Sequence, residues 1–128
     1  MENTAHILVI DDEVAMRTLI SDALANEGYV VSQSSNGSEG VEKVRASTPD
    51  LIITDIMMPV LDGMALILSL SREGWKVPVI AMTGIPPEAV PYLRIAKSLG
   101  AIRTLAKPFR MPELVKIAKE VLAGRTSN

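Results

Sequence analysis

Five residues whose side chains could do chemistry each follow a strongly apolar run of the sequence. Asp11 and Asp12 follow the first run, Asp55 a later one, and Thr83 and Lys107 two others. Carboxylates brought close together repel each other unless a positive charge lies among them. That charge can be Mg²⁺, which prefers oxygen ligands, or the ammonium group of Lys107. These residue types predict a site that holds a cation, provided the fold brings them together.

The elements that must position these residues alternate between apolar runs of strand length and segments of helical period. This alternation is typical of βαβ units around a parallel sheet. The five predicted strands are "HILVI" (6–10), "YVVSQS" (29–34), "LIIT" (51–54), a strand within "VPVIAM" (77–82) and "IRTLA" (102–106). The carboxyl ends of parallel strands share one edge of a sheet, where ligands bind in such folds. The sequence therefore predicts that the acids, the threonine and the lysine meet at this edge.

Apolar spacing predicts the helices between the strands. The first has an apolar stripe before a stop at Gly28, formed by Met16, Leu19, Ile20, Ala23 and Leu24. The second runs from about Ser38 to Ala46, with Ser38 and Glu42 one residue off a capping box. The last has Pro112 in its first turn, Gly124 at its exit and an apolar stripe of Leu114, Ile117, Ala118, Val121 and Leu122. The proline-rich segment 85–100 predicts a helix that starts late or irregularly.

Composition bounds the class of protein. With 128 residues, a net charge of -2 and 48% hydrophobic residues, the chain fits one globular domain. The absence of cysteine excludes a disulfide framework, a thiolate metal site and a cysteine nucleophile. No signal-peptide pattern occurs and no apolar run approaches the roughly 18 residues of a membrane span, so we expect a cytoplasmic protein with no membrane insertion. Basic residues are spread along the chain, which disfavours direct nucleic-acid binding.

Each candidate residue also has an ordinary explanation when it is taken alone. A pair of aspartates after a strand commonly caps a helix, a strand-end aspartate is commonly a turn residue, and Thr-Gly and Lys-Pro pairs are common in loops. These explanations must all hold at once, at the ends of strands one, three, four and five. A shared site explains the pattern better than four coincidences.

The chain resembles the receiver domain of two-component response regulators over nearly its whole length, in the manner of a single-domain chemotaxis regulator. The matching motifs are "ILVIDDE", "GYVVSQSSNGSEGVE", "PDLIITDIMMPVLDG", "VPVIAMTG" and "GAIRTLAKPF". The resemblance implies an α/β fold of the flavodoxin-like type: a doubly wound, five-stranded parallel sheet of order 2-1-3-4-5, with helices on both faces. It implies a receiver domain over residues 1–124 and a tail over 125–128.

The resemblance also implies a role for each site residue. Asp55 would be the phosphoacceptor, Asp12 would ligate Mg²⁺ directly and Asp11 mainly through water. Asp55 and the backbone carbonyl of Met57 would complete the protein ligands. Thr83 would contact a phosphoryl oxygen and Lys107 would pair with the same group, next to a cis Lys107–Pro108 peptide.

The function that the resemblance implies is a phosphorylation-dependent signalling switch, not a turnover enzyme. A sensor histidine kinase or a histidine phosphotransfer protein would donate the phosphoryl group. The face formed by the fourth helix, fifth strand and fifth helix would then change its affinity for a downstream protein, with the chain a monomer or a phosphorylation-dependent dimer. Arg17 and Ser21, on the surface of the first helix, would help to choose the kinase. Thr104 departs from the family, which usually has an aromatic residue there, so we expect transmission to rely more on the backbone after Thr83.

Three alternatives remain open from the sequence. The chain could be a receiver excised from a longer DNA-binding regulator or hybrid histidine kinase. It could be a receiver that acts only as a scaffold, although such proteins normally lose an acid or the lysine. It could be a small Mg²⁺-dependent phosphatase with an aspartyl nucleophile, but those enzymes commonly place a second aspartate two residues later, where this chain has Met57.

Overall fold

The sheet positions the strand-end residues as the alternating sequence pattern predicts. A computed structural model of the chain describes residues 4–56, 63–84 and 101–126. Five strands are present: β1 (His6–Ile10), β2 (Val30–Ser34), β3 (Leu51–Asp55), β4 (Val79–Thr83) and β5 (Ala101–Ala106). They are parallel and form one sheet of order β2-β1-β3-β4-β5. The predicted fold class and strand order are confirmed.

Helices cover both faces of this sheet, as predicted. The described helices are α1 (Val14–Asn26), α2 (Gly37–Ala46), α3 (Gly63–Arg72) and a C-terminal helix (Met111–Thr126). α1 and the C-terminal helix share one apolar cluster with alternate residues of the strands, while α2 and α3 share the cluster on the opposite face. The helix predicted within residues 85–100 lies outside the described residues.

The central strands are buried along almost their whole length. Every residue of β3 and β4 is buried, as is β1 after His6. Strands covered on both faces read as continuous apolar runs, which explains why "LIIT" and "HILVI" stand out in the sequence. The polar residues that follow these runs therefore start from fixed positions.

The helix predicted from about Ser38 to Ala46 is confirmed as α2, but its cap is not Ser38, and the predicted exit of the last helix at Gly124 was wrong. α2 begins at Gly37, and its cap is Asn36, whose side chain accepts a hydrogen bond from the Glu39 amide at 2.9 Å. Glu39 in turn accepts from the Ser35 amide at 3.1 Å, so Asn36 and Glu39, and not Ser38 and Glu42, cap this helix. The C-terminal helix continues through Gly124 to Thr126, whereas Gly28 does follow the end of α1, with a φ of 98° that suits glycine.

The predicted apolar stripe of α1 was also wrong at one position. Ile20 and Leu24 are buried, but Leu19 is 56% exposed. Ser21, which we expected on the surface, is buried instead. Compared with the prediction, α1 is therefore rotated about its axis, so that the side with Ser21 faces the core and the side with Leu19 faces solvent.

Gly40 permits the close approach of α2 to β1. A Cβ atom at this position would lie 2.5 Å from Ile10 Cδ1, and Ile10 is fully buried. We expect Gly40→Ala to lower the free energy of unfolding, because overpacking of a filled core costs about 1–3 kcal/mol and exceeds the up to about 1 kcal/mol that alanine gains over glycine in a helix. Denaturant unfolding measures this change.

Gly124→Ala is the matched control for this substitution. A Cβ at Gly124 meets nothing within 4 Å, and the residue lies in a helix. Alanine there should be neutral or stabilising by up to about 1 kcal/mol, because glycine costs that much in a helix interior. Equal effects of the two substitutions would contradict the assigned contact between α2 and β1.

Candidate functional site

Three carboxylates meet at the carboxyl edge of the sheet. Asp11 follows the last residue of β1, and Asp55 ends the adjacent strand β3, where Ile10 pairs with Thr54. One carboxylate oxygen each from Asp11, Asp12 and Asp55 lies within 4.8 Å of the other two. Asp11 is fully buried and Asp55 nearly so, whereas Asp12 is exposed. The convergence expected from strand order is present in the structure.

Lys107 places an ammonium group between the two buried acids. Its Nζ lies 3.1 Å from Asp11 Oδ2 and 3.2 Å from Asp55 Oδ2. Burial lowers the pKa of Lys107, but the charge of Asp55 and the hydrogen bond to Asp11 outweigh it, so the net pKa lies above its ordinary value. The lysine is therefore protonated at neutral pH.

Backbone contacts fix the base of the Lys107 side chain. β5 pairs with β4 up to Thr83 and Ala106, and the Lys107 amide then donates to the Thr83 carbonyl at 2.6 Å. The Lys107–Pro108 peptide is cis, as the resemblance implied. Thr83 is buried at the end of β4, so it lies at the same edge as the acids.

Asp11 is held by several hydrogen bonds at once. Its Oδ1 accepts from the Glu13 amide at 2.9 Å, and its own amide donates to the Ser34 carbonyl at 3.2 Å. The Asp11 carbonyl accepts from Arg17 Nη1 at 2.7 Å. The sequence does not indicate this contact of Arg17, because the acceptor is a backbone carbonyl, which every residue has.

The donor set suits a hard divalent cation. All of the gathered side-chain donors are carboxylate oxygens, the ligand type that Mg²⁺ and Ca²⁺ prefer over softer metals. Lys107 and the nearby guanidinium group of Arg17 carry two positive charges against three carboxylates. The remaining negative charge and the exposure of Asp12 therefore favour a cation that reaches the site from solvent. Met57, whose carbonyl was a predicted ligand, lies outside the described residues.

The sequence matches the response regulator receiver domain over residues 7–119. The chain belongs to this family. It is 30% identical over 116 residues to sporulation initiation phosphotransferase F of Bacillus subtilis, covering 91% of this chain and 92% of that protein. The structure of the chemotaxis protein CheY4 of Vibrio cholerae superimposes with a TM-score of 0.83 at 30% identity, covering 93% of this chain and 99% of that one. The family that the resemblance predicted is confirmed.

Other receiver domains form part of longer proteins. The transcription regulator BvgA of Bordetella pertussis is 32% identical over 121 residues, which is 94% of this chain but 57% of BvgA. The chain thus spans little more than half of that relative. Receiver domains interact with histidine kinases and downstream effectors, and most members act in signalling rather than as enzymes. None of the helices in the described residues combines the length and the hydropathy of a membrane span.

Lys107 should stabilise the fold as long as it is charged. In Mg²⁺-free buffer at pH 7, we expect Lys107→Met to lower the free energy of unfolding by about 1–3 kcal/mol, the range for hydrogen bonds to charged groups. A group whose native pKa is raised stabilises fully below its unfolded pKa, about 10.4 for lysine. The difference between wild type and variant should therefore shrink as the pH rises through the native pKa. Denaturant unfolding between pH 7 and 11 measures it.

Lys119→Met provides the control. Lys119 pairs with Glu27 at the surface, at 2.5 Å and with half of its side chain exposed, and exposed pairs contribute little. A loss at Lys107 no larger than the loss at Lys119, or one that grows with alkaline pH, would contradict the assigned role. Addition of Mg²⁺ should restore part of the stability of Lys107→Met, because a cation would again separate the acids.

Proposed function

We propose that this receiver domain is a phosphorylation-dependent switch in which Asp55 accepts a phosphoryl group from a histidine kinase or a histidine phosphotransfer protein. The observation that carries the proposal is the position of Lys107 Nζ, within 3.2 Å of both buried acids. An aspartate nucleophile must be ionised, and the incoming phosphoryl group must be neutralised. A protonated lysine beside the carboxylate serves both needs.

The proposed transfer is an in-line displacement at phosphorus. A carboxylate oxygen of Asp55 forms the new O–P bond, while the P–N bond to the donor histidine breaks and its electron pair returns to the imidazole nitrogen. The Lys107 ammonium group pairs with a phosphoryl oxygen, and the Thr83 hydroxyl donates to another. Little further chemistry is required, because phosphoryl transfer depends mainly on positioning and charge.

The proposed cofactor is Mg²⁺, held by Asp11, Asp12, Asp55 and the Met57 carbonyl. When bound, it neutralises charge on the phosphoryl oxygens. Asp12 suits direct ligation because it is exposed, whereas Asp11 is buried and its carboxylate already accepts from the Glu13 amide and from Lys107. A role for Asp11 through coordinated water agrees with this difference.

The conformational change that follows phosphorylation would begin at Lys107. A phosphoryl group on Asp55 offers new anionic oxygens, so the ammonium group would exchange its contact with Asp55 Oδ2 for a phosphoryl oxygen. Because the Lys107 amide is bonded to the Thr83 carbonyl, this movement bears on the ends of β4 and β5. We infer that the face containing β5 and the C-terminal helix then changes its affinity for a downstream protein. Thr104 lies half-buried on β5, paired with Ala81.

Intact-mass analysis tests the proposal. The chain is incubated with acetyl phosphate, a small phosphodonor, with and without Mg²⁺, beside Asp55→Asn and the control Asp22→Asn. Asp22 lies exposed on α1, so its loss removes the same charge without changing the site. We expect one added phosphoryl group on wild type and Asp22→Asn, dependent on Mg²⁺, and none on Asp55→Asn.

The opposite results would discriminate the alternatives. Addition to Asp55→Asn at the wild-type level would exclude Asp55 as the acceptor. No addition to any chain, followed by none from a histidine phosphotransfer protein, would favour a scaffold role. Sustained release of inorganic phosphate from a phosphomonoester, which lacks the energetic bond of acetyl phosphate, would favour a phosphatase.

A further inference from the structure

Arg17 joins the acidic turn to the edge strand of the sheet. From the first turn of α1, its Nη1 donates to the Asp11 carbonyl at 2.7 Å, and its Nε donates to Gln33 Oε1 on β2 at 3.1 Å. The side chain is half-buried. A planar guanidinium group can satisfy two acceptors in fixed directions, so Gln33 orients the group that holds Asp11.

The contact with the carbonyl bears on Asp12 more than on the Asp11 side chain. The Asp11 carbonyl and the Asp12 amide belong to one planar peptide unit. Fixing the oxygen of that unit therefore fixes the direction in which the chain enters Asp12. The Asp11 carboxylate is already fixed by Glu13 and Lys107, whereas Asp12 is exposed and gains its order from the backbone.

We propose that Arg17 is a positioning residue, oriented by Gln33, that holds the Asp11–Asp12 peptide in the geometry that binds Mg²⁺. The inference rests on the proposed function, in which these acids hold the metal. Groups that orient ligands in this way commonly change metal affinity by 10–100-fold. The family resemblance implied a role for Arg17 in the choice of kinase, which stays a prediction; the structure adds its hydrogen bond to the Asp11 carbonyl.

The direction of the effect separates positioning from simple charge. A cationic side chain near an acidic cluster repels a metal ion, so its removal should tighten Mg²⁺ binding if charge alone matters. Positioning predicts the reverse. It also predicts that Arg17→Lys fails to restore affinity, because an ammonium group keeps the charge but lacks the fixed geometry of the two guanidinium donors.

Isothermal titration calorimetry with Mg²⁺ alone tests the inference without any measurement of phosphorylation. We expect Arg17→Met to weaken Mg²⁺ binding about tenfold, and Arg17→Lys to weaken it to a similar degree. Gln33→Leu should weaken binding less. Gln33→Leu should add nothing in the Arg17→Met background, because residues that act through one another are not additive.

Arg45→Met is the matched control. Arg45 also lies on a helix surface and is half-exposed, but it pairs with Glu42 and Glu73. Its substitution should leave Mg²⁺ affinity unchanged. Circular dichroism melts without Mg²⁺ show whether each variant is folded. If Arg17→Met is not, Gln33→Leu carries the test, because its side chain is exposed.

The outcomes distinguish this inference from the proposed function. Wild-type protein that binds no Mg²⁺ would overturn both. Wild type that binds, with Asp12→Asn abolishing the binding and Arg17→Met equal to or tighter than wild type, would overturn the role of Arg17 alone. Full additivity of the Arg17 and Gln33 substitutions would overturn the orienting role of Gln33.

Discussion

The structure of this edge depends on repulsion between carboxylates that the fold forces together. Asp11 and Asp55 are buried side by side, and Asp12 lies close to both. Burial strengthens their repulsion, because charges interact more strongly away from water. The ammonium group of Lys107 offsets part of it through contacts with both buried acids. The negative charge that remains attracts a further cation to the site. The proposed phosphoryl transfer requires such a cation beside the acids.

The frame that imposes this arrangement is apolar and rigid. β1, β3 and β4 are neighbours, and their residues pack into two clusters on opposite faces of the sheet. Exposing these side chains to water would cost free energy, and this cost opposes the repulsion between the acids. The fold can therefore maintain an unfavourable electrostatic arrangement at its edge, where strand geometry and not local preference determines the positions of the acids.

The features that depend on long apolar runs could be predicted from the sequence, whereas the orientation of single side chains on a helix could not. Strand order and the convergence of Asp11, Asp55, Thr83 and Lys107 follow from runs that leave few other arrangements. The rotation of α1 does not, because Leu19 and Ser21 lie about 100° to either side of Ile20 and spacing alone favours the leucine. Arg17 lies one helical turn before Ser21, on the same side of α1. Its bonds to the Asp11 carbonyl and Gln33 therefore agree with the burial of Ser21 and the exposure of Leu19.

Lys107 keeps its positive charge at this edge of the sheet throughout the neutral range. Its pKa is raised, so it stays protonated throughout the neutral range. Its position is then determined by the anions that face it. Asp11 is fixed by its hydrogen bonds to Glu13 and Ser34. Asp55 is the other anion that Lys107 contacts, and under the proposed function phosphorylation alters its charge. The Lys107 amide is hydrogen-bonded to the Thr83 carbonyl. In the proposed switch, a changed charge at Asp55 therefore acts on the ends of β4 and β5 at once and reaches the surface of β5.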